Sequence, residues 1–258
     1  MPRRRVPSGL IVLSAALWLG GCAGLAITSP TAGGTEDVVE SSTRAAAESA
    51  EASFDYQSAA VSWNHLRQTH LKDPNLAVRL ARNLRYSGQV QPAIDVTSGF
   101  IEVNGRSVSL LVELGKDYLA GDRLGLAVRT LRDASDLAPT DWEVWSALGV
   151  ALDYQGNYPE AQAAYARALA QSPDNPVVLN NLGLSQAQAG QLAEARASLE
   201  KAIDQPKASA QVRQNLALIR ALSGDLGGAE RLNRQDLPAD AVRNNAAYYR
   251  LLAGARIN

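Results

Sequence analysis

Small and apolar residues return along this chain at a fixed interval of 34 positions. A leucine position recurs on this interval from Leu80 to Leu216, and the residue after each of these leucines is alanine or glycine. Within one interval the apolar residues stand three or four positions apart, which is the period of an amphipathic helix. The pattern predicts an all-α chain of repeated hairpins, and a generic helical bundle with accidental spacing is the alternative. The most regular column contains six alanines: Ala59, Ala93, Ala127, Ala161, Ala195 and Ala229.

The clearest repeat, residues 142–175, shows why the interval needs these residue types. Leu148 belongs to the apolar face of the first predicted helix. Gly149 and Ala161 fall where the two helices of a hairpin cross, and a larger side chain there would hold the backbones apart. Pro173 ends the unit, because proline disfavours a helical conformation in the residue before it.

These residues resemble the tetratricopeptide-repeat signature, a 34-residue helix–turn–helix unit that stacks into a solenoid. The resemblance implies a solenoid of about five to six hairpins plus a C-terminal capping helix. Gly227-Gly228 fall where the interior of the last hairpin's second helix is expected, which disfavours that helix. The other units predicted on the same interval are 40–73, 74–107, 108–141, 176–209 and 210–243.

A closing helix is predicted over residues 240–253, with Asp240 as its N-cap. Of the adjacent pair Tyr248-Tyr249, we expect one ring in the core and the other at the rim. The apolar face of this helix is predicted to contain Val242, Ala246, Tyr249 and Leu252/Ala253.

The N-terminal segment predicts secretion and lipid attachment. Three arginines precede an apolar stretch of ten residues, which is too short to span a bilayer, so residues 1–21 are predicted to be a signal peptide. Leu19-Gly20-Gly21-Cys22 resembles the processing box of bacterial lipoproteins, and this resemblance implies acyl chains on Cys22. In lipoproteins of this type, an aspartate after the cysteine favours retention in the inner membrane. This chain has Ala23 at that position, so the resemblance implies the periplasmic face of the outer membrane. An ordinary signal peptide with an incidental cysteine is the alternative.

Composition divides the remaining chain into a tether and a repeat domain. Residues 22–43 are rich in Gly, Ser, Thr and Pro and are predicted to form a flexible tether, so residues 44–258 form the repeat domain. Removal of residues 1–21 leaves 22 basic and 26 acidic residues, a net charge of −4. That balance disfavours a nucleic-acid partner, which needs a basic face.

Residues that would support catalysis are not grouped along the sequence. His65 and His70 stand five positions apart on a predicted helix and do not share a face. The chain also lacks a phosphate-binding loop and a nucleophile elbow. We therefore expect a non-enzymatic protein without a metal or cofactor.

Stacked hairpins curve, and their first helices line the concave surface. Projected onto this surface, the sequence is basic at its N-terminal end and rich in amides and leucines at its C-terminal end. Such a groove suits a peptide with an acidic segment and apolar anchors. A solvated face without a ligand, or binding through the convex face, is the alternative. The predicted groove residues are Arg82, Arg85, Tyr86, Lys116, Asp153, Tyr154, Asn180, Leu184 and Gln214.

The C-terminal segment from residue 212 onward carries a more individual pattern. Residues 212–218 (Val-Arg-Gln-Asn-Leu-Ala-Leu) precede Asp236-Leu237-Pro238, Asn244-Asn245 and Tyr248-Tyr249-Arg250. With the signal and the repeats, this tail resembles TadD, the lipoprotein family of the tight-adherence (Flp) pilus assembly system. The resemblance implies a pilotin-like role, in which an outer-membrane lipoprotein helps the pilus secretin to reach the membrane and multimerise.

Two other functions compete with this one. A lipoprotein of the same architecture could serve another envelope machine, such as outer-membrane protein assembly or cell-wall synthesis. The third hypothesis is an enzyme with an unrecognised site. The sequence shows no group of residues typical of a catalytic site, which disfavours it.

Overall fold

The computed structural model of the chain describes the backbone of residues 32–255 and the side chains of residues 36–252. The predicted signal peptide, Cys22 and the first part of the predicted tether lie outside the described residues. Within residues 32–255 the structure contains thirteen α-helices and no strand. The prediction of an all-α chain is confirmed.

The helices pair into six hairpins followed by one terminal helix, on the interval that the sequence predicts. Each hairpin consists of two helices separated by three residues, and successive hairpins pack through neighbouring helices. The helices are α1 (Ala32–Ala52), α2 (Tyr56–Thr69), α3 (Pro74–Tyr86), α4 (Val90–Asn104), α5 (Val108–Ala120), α6 (Leu124–Leu137), α7 (Trp142–Tyr154), α8 (Tyr158–Gln171), α9 (Pro176–Gln188), α10 (Leu192–Ile203), α11 (Ala210–Leu222), α12 (Leu226–Asp236) and α13 (Ala239–Ala255).

The turn inside every hairpin contains one residue in the left-handed region, and these residues also recur every 34 positions. Glycine fills four of the six turns, because it adopts positive φ without a steric penalty. Phe54 and Asp122 take the same conformation in the first and third hairpins, with φ of 61° and 55°. The glycines are Gly88, Gly156, Gly190 and Gly224, with φ between 74° and 89°.

The alanine and glycine columns lie where the helices of each hairpin cross. All six alanines of the 34-residue column are 0% exposed. A Cβ atom placed on Gly149 would lie 2.5 Å from Cε1 of Tyr165, and one on Gly115 would lie 2.6 Å from Cγ of Leu131. The predicted requirement for small residues at the crossings is confirmed, and a bundle with accidental spacing is excluded for these hairpins.

Helix α1 begins earlier than the sequence suggests. It starts at Ala32, within the segment predicted as a flexible tether. Helix propensity does not explain this extension, because residues 32–43 include two glycines and several β-branched residues. An ion pair one turn apart, between Arg44 and Glu40 at 3.1 Å, supports the helix at the end of this segment.

The terminal helix α13 buries part of the predicted face, and Ala246 and Leu252 of that face are half-buried. Val242 is 4% and Tyr249 is 6% exposed, whereas Tyr248 is 55% exposed, so one tyrosine of the pair is in the core and the other is at the surface as predicted. The predicted N-cap is wrong, because α13 begins at Ala239 and Asp240 is already inside the helix. Asp240 lies in the first turn of α13, where it pairs with Arg243.

The glycine pair of α12 lies in the first helical turn rather than in the helix interior. The Asp225 side chain caps α12 by accepting a hydrogen bond from the Gly228 N–H at 2.8 Å. A Cβ on Gly228 would collide with that carboxylate, whereas a Cβ on Gly227 would meet only the Arg231 side chain, at 3.5 Å. Gly228 is therefore required by the cap and Gly227 is not.

Substituting these two glycines should give opposite results. Gly227→Ala should stabilise the chain by about 1 kcal/mol, because alanine favours a helix more than glycine does. Gly228→Ala is the matched variant and should destabilise it by about 1 kcal/mol through loss of the cap. Urea denaturation followed by circular dichroism measures both changes. Equal shifts in the same direction would contradict this account of the α12 cap.

Candidate functional site

A cavity of about 690 Å³ opens between α7 and α9, at the end of α7 where the fourth hairpin turns. Three predicted groove residues, Asp153, Tyr154 and Leu184, line it together. The structure therefore brings three of the five predicted residues in the C-terminal half of the groove into one site, and Asn180 and Gln214 do not line it. The complete lining is Val150, Asp153, Tyr154, Gln155, Gly156, Tyr158, Tyr165, Asn181, Leu184 and Gln188.

Asp153 is fixed at the floor of this cavity by two hydroxyl donors. The Tyr165 hydroxyl donates to its Oδ2 at 2.7 Å, and the Ser185 hydroxyl donates to its Oδ1 at 2.6 Å. Burial raises the pKa of Asp153, and the two hydrogen bonds oppose this shift. Burial, followed by the charge of Asp153, raises the pKa of Tyr165 above its usual range. Because both carboxylate oxygens are occupied, Asp153 holds α7, α8 and α9 together rather than offering a free charge.

The accessible groups of the cavity suit an extended peptide. The Tyr154 side chain is 66% exposed at the mouth, and Leu184 adds an aliphatic wall. Gln155 and Gln188 have no hydrogen-bond partner for their side chains among the described residues, so their amides are available to a peptide backbone. Exposed aromatic rings beside adaptable amides are a common composition of protein interfaces.

The N-terminal half of the predicted groove is not a free basic surface. The guanidinium of Arg85 donates to Glu113 Oε1 at 2.6 Å and to Asp117 Oδ1 at 2.9 Å. Arg82 lies 3.5 Å from Glu113 Oε2. Glu113 and Asp117 are 1% and 0% exposed, so their charges offset both arginines inside the fold. The expectation of an uncompensated basic end is corrected for this reason.

Two other predicted residues in this half remain accessible. Lys116 is half-buried and has no ion-pair partner among the side chains that the structure describes. Tyr86 is 53% exposed, and its ring centroid lies 4.9 Å from that of Tyr56. Arg85 covers the Tyr86 ring, with its Cζ atom 4.7 Å from the ring centroid. These side chains could contact a ligand, and their binding role stays a prediction.

Asn180 and Gln214 differ in accessibility. Asn180 is only 8% exposed, because its amide accepts a hydrogen bond from Asn215 at 2.8 Å and contacts Asn181 at 3.3 Å. The amide thus links α9 to α11, which corrects its predicted position on the open groove. Gln214 is half-buried.

Sequence reasoning missed a set of polar contacts that join successive hairpins. In each, a residue near the end of one first helix contacts a residue 32 positions later in the next first helix. The pairs are Glu51 with Asn83 at 2.6 Å, Arg85 with Asp117 at 2.9 Å and Asp153 with Ser185 at 2.6 Å. The second residue of each pair belongs to one position of the 34-residue repeat, which is apolar in other repeats, at Ala151 and Ile219. Polar residues at this position were the signal that the sequence offered.

The histidines take no part in a shared site. Both are exposed, and His70 Nε2 lies 2.9 Å from Glu40 Oε2. Among the described residues, no group of three His, Cys, Asp or Glu side chains could hold a metal ion. None of the helices in the described part has the length and apolarity that crossing a membrane requires.

Comparison with known proteins agrees with this geometry. The sequence profile of the tetratricopeptide repeat matches residues 112–176 and 146–211, which correspond to the third to fifth hairpins. The described part of the chain is therefore a tetratricopeptide-repeat solenoid, a class of fold that generally serves protein–protein interaction rather than catalysis. Among curated protein sequences, none matches the chain.

Three solved structures illustrate the similarity in fold. The thermophilic TPR protein TTC0263 of Thermus thermophilus matches with a TM-score of 0.59 and 20% identity, over 70% of this chain and all of that one. MamA matches with a TM-score of 0.50 and 19% identity, over 61% of this chain and 92% of that one. A chain of the APC/C hetero-tetramer Cut9–Hcn1 matches with a TM-score of 0.59 and 14% identity, over 73% of this chain and 36% of that one. At these identities the similarity shows the fold alone.

Proposed function

We propose that this protein is a lipid-anchored scaffold on the periplasmic face of the outer membrane, and that it supports assembly of the tight-adherence pilus secretin. Its cavity between α7 and α9 binds an extended segment of the client. Its Cys22 carries the lipid anchor. The protein acts by binding, without catalysis.

The observation that carries the binding role is the cavity itself. It combines an exposed tyrosine, a leucine and accessible glutamine amides, while its one carboxylate is internally satisfied. An uncharged wall of this kind favours apolar anchors and backbone hydrogen bonds from a partner. A peptide of about five residues in extended form spans roughly 17 Å, comparable to the width of two adjacent hairpins.

The pilus client and the outer membrane are supported by sequence patterns. The lipobox-like run ending in Cys22 supports lipid attachment, and Ala23 supports the outer membrane. The C-terminal pattern that resembles TadD supports the pilus secretin as client. The same architecture would also suit another envelope machine, and the choice of client can be tested directly.

Lipid attachment predicts a complete change of location in a Cys22→Ser variant. Wild-type protein should incorporate palmitate and fractionate with the outer membrane, because several acyl chains hold a protein on a membrane effectively without release. Cys22→Ser should lose the label and the membrane association. Retention of both would refute the lipid anchor.

The client is tested in the same cells. Deletion of the gene should reduce heat-resistant secretin multimers, and wild-type protein should restore them and co-purify with the secretin. Normal secretin multimers in the deletion strain would reject the pilus role. Co-purification with a different envelope complex instead would identify the alternative client.

A further inference from the structure

Four charged side chains form a compact cluster between the second and third hairpins, here named the acid–arginine cluster: Arg82, Arg85, Glu113 and Asp117. Arg85 bridges both carboxylates and is only 13% exposed. Arg82 lies farther from Glu113, at 3.5 Å, and its side chain is 41% exposed. The cluster therefore has an inner arginine that is fixed and an outer arginine that is loosely held.

Asp117 faces a limited set of neighbours. The charges that act on it are those of Glu113, on its own helix, and Arg85, on α3. From α4, the Thr97 hydroxyl lies 3.2 Å from Asp117 Oδ2. From α6, Leu131 packs against the neighbouring Gly115. Burial, then the charge of Glu113, raises the pKa of Asp117 to about 7, against the opposing effect of Arg85.

Asp117 can take up a proton and keep a hydrogen bond to Thr97 in both protonation states. The Thr97 hydroxyl also lies 3.1 Å from the Ala93 carbonyl oxygen. When Asp117 is ionised, Thr97 can donate to it. When Asp117 is protonated, its O–H can donate to the Thr97 oxygen, while Thr97 donates to Ala93.

Protonation of Asp117 changes the net charge of the acid–arginine cluster. With both carboxylates ionised, the four formal charges cancel. With Asp117 neutral, two guanidinium groups share the single carboxylate of Glu113, and Arg85 at 2.6 Å holds it more closely than Arg82 at 3.5 Å. Arg82 then becomes an uncompensated cation, one turn of α3 from Arg85, and the half-buried Lys116 adds a second positive charge on α5.

We propose that the acid–arginine cluster is a proton-gated binding site for an acidic segment of the client, in which uptake of one proton releases Arg82 to the ligand. This inference rests on the proposed client-binding function and adds its regulation. Because ligand and proton favour the same state, affinity for an acidic peptide rises as the pH falls through about 7. A single proton can change the affinity by at most about tenfold per pH unit.

The test uses the full-length protein in detergent and a rhodamine-labelled hexa-glutamate peptide, whose side chains stay ionised between pH 6 and 8. Fluorescence anisotropy should show binding about three- to tenfold tighter at pH 6 than at pH 8. Asp117→Asn mimics the protonated carboxyl and should bind tightly at both pH values. Arg82→Ala should bind weakly at both. A hexa-glutamine peptide should show no pH dependence.

Two control variants separate the cluster from other sources of pH dependence. Histidine is the side chain type whose charge most often changes between pH 5 and 8, so a His65→Asn/His70→Asn variant removes both imidazoles of the chain and should keep the wild-type pH profile. Arg106 is an exposed arginine paired with Asp133 at 3.0 Å, outside the cluster, and Arg106→Ala should also keep the profile.

Thermal melting supplies an independent readout of the same group. Folding raises the pKa of Asp117, so its contribution to stability is fully present in acid and is lost as the pH rises through about 7. Wild-type melting temperature should fall between pH 6 and pH 8 more than that of Asp117→Asn. This comparison also shows whether the variant is folded.

The proposal is overturned by hexa-glutamate affinity that does not vary with pH in the wild type, by pH dependence that survives in folded Asp117→Asn, or by no binding at either pH. None of these readouts involves the secretin. A wrong client would therefore leave the peptide result intact, and a failed peptide titration would leave the secretin result intact.

Discussion

An Ala161→Trp chain is expected to lose the packing of its fourth hairpin and to melt about 5–10 °C below the wild type. Ala161 is 0% exposed and belongs to the column where the helices of every hairpin cross. At this crossing Gly149 and Tyr165 are already so close that a single added carbon on Gly149 would lie 2.5 Å from the ring. An indole cannot enter without separating α7 from α8. Overpacking of a core usually costs about 1–3 kcal/mol, and Ala161 is fully buried.

The matched control lies on the same helix. Ala166 is exposed on α8, so Ala166→Trp makes the same chemical change without entering the core. Its melting temperature should stay within about 2 °C of the wild type, as for most surface substitutions. Circular dichroism during heating measures both variants. Equal melting temperatures for the two tryptophan variants would show that the crossing is packed differently from the structure described above.

The hairpin register was predictable because it depends on side-chain volume. A backbone crossing tolerates only small residues, so the columns containing Ala161 and Gly149 mark every hairpin in the sequence. Turn positions were partly predictable for a similar reason, since glycine favours positive φ. Phe54 and Asp122 take the same conformation without this signal, because the two helices on either side impose it.

The site was less predictable because its electrostatics depend on contacts between repeats. A helical projection assigns Arg85 to a face, but it does not show that Glu113 and Asp117 from the next hairpin approach the same guanidinium. Asn180 was misplaced for the same reason, since Asn215 of the following hairpin covers it. Tyr154 and Leu184 line the cavity between α7 and α9, and their assignment to the inner face depends on helix periodicity alone. Their role in binding stays a prediction.

The two halves of the predicted groove consequently have different chemistry. The cavity between α7 and α9 has a satisfied carboxylate and neutral walls, so its contacts should resist salt. The acid–arginine cluster depends on charge, so its contribution should decline as ionic strength rises. A client with an apolar anchor and an acidic flank would engage both halves. Salt dependence then distinguishes which half a given variant has damaged.

Combined loss of Tyr154 and Leu184 is expected to reduce capture of the client more than tenfold. Tyr154 is 66% exposed and lines the same cavity as Leu184. Truncation of one anchoring residue at an interface costs about 1–2 kcal/mol, and about 1.4 kcal/mol corresponds to a tenfold change in affinity. Because neither side chain is charged, the loss in a Tyr154→Ala/Leu184→Ala variant should be similar at low and high salt.

Capture of the secretin from solubilised membranes, quantified against immobilised wild-type protein, measures this loss. Tyr248→Ala is the matched control, because Tyr248 is 55% exposed on α13 and does not line the cavity. The control should capture the secretin normally, and circular dichroism should show that both variants are folded. Tyr154 ends α7 and is exposed, and Leu184 is only half-buried in α9, so their truncation should lower the melting temperature by only a few degrees. Normal capture by the folded double variant would exclude the cavity between α7 and α9 as the client site. The exposed face of α13 would then be the next surface to test, and Tyr248→Ala would already be the variant that tests it.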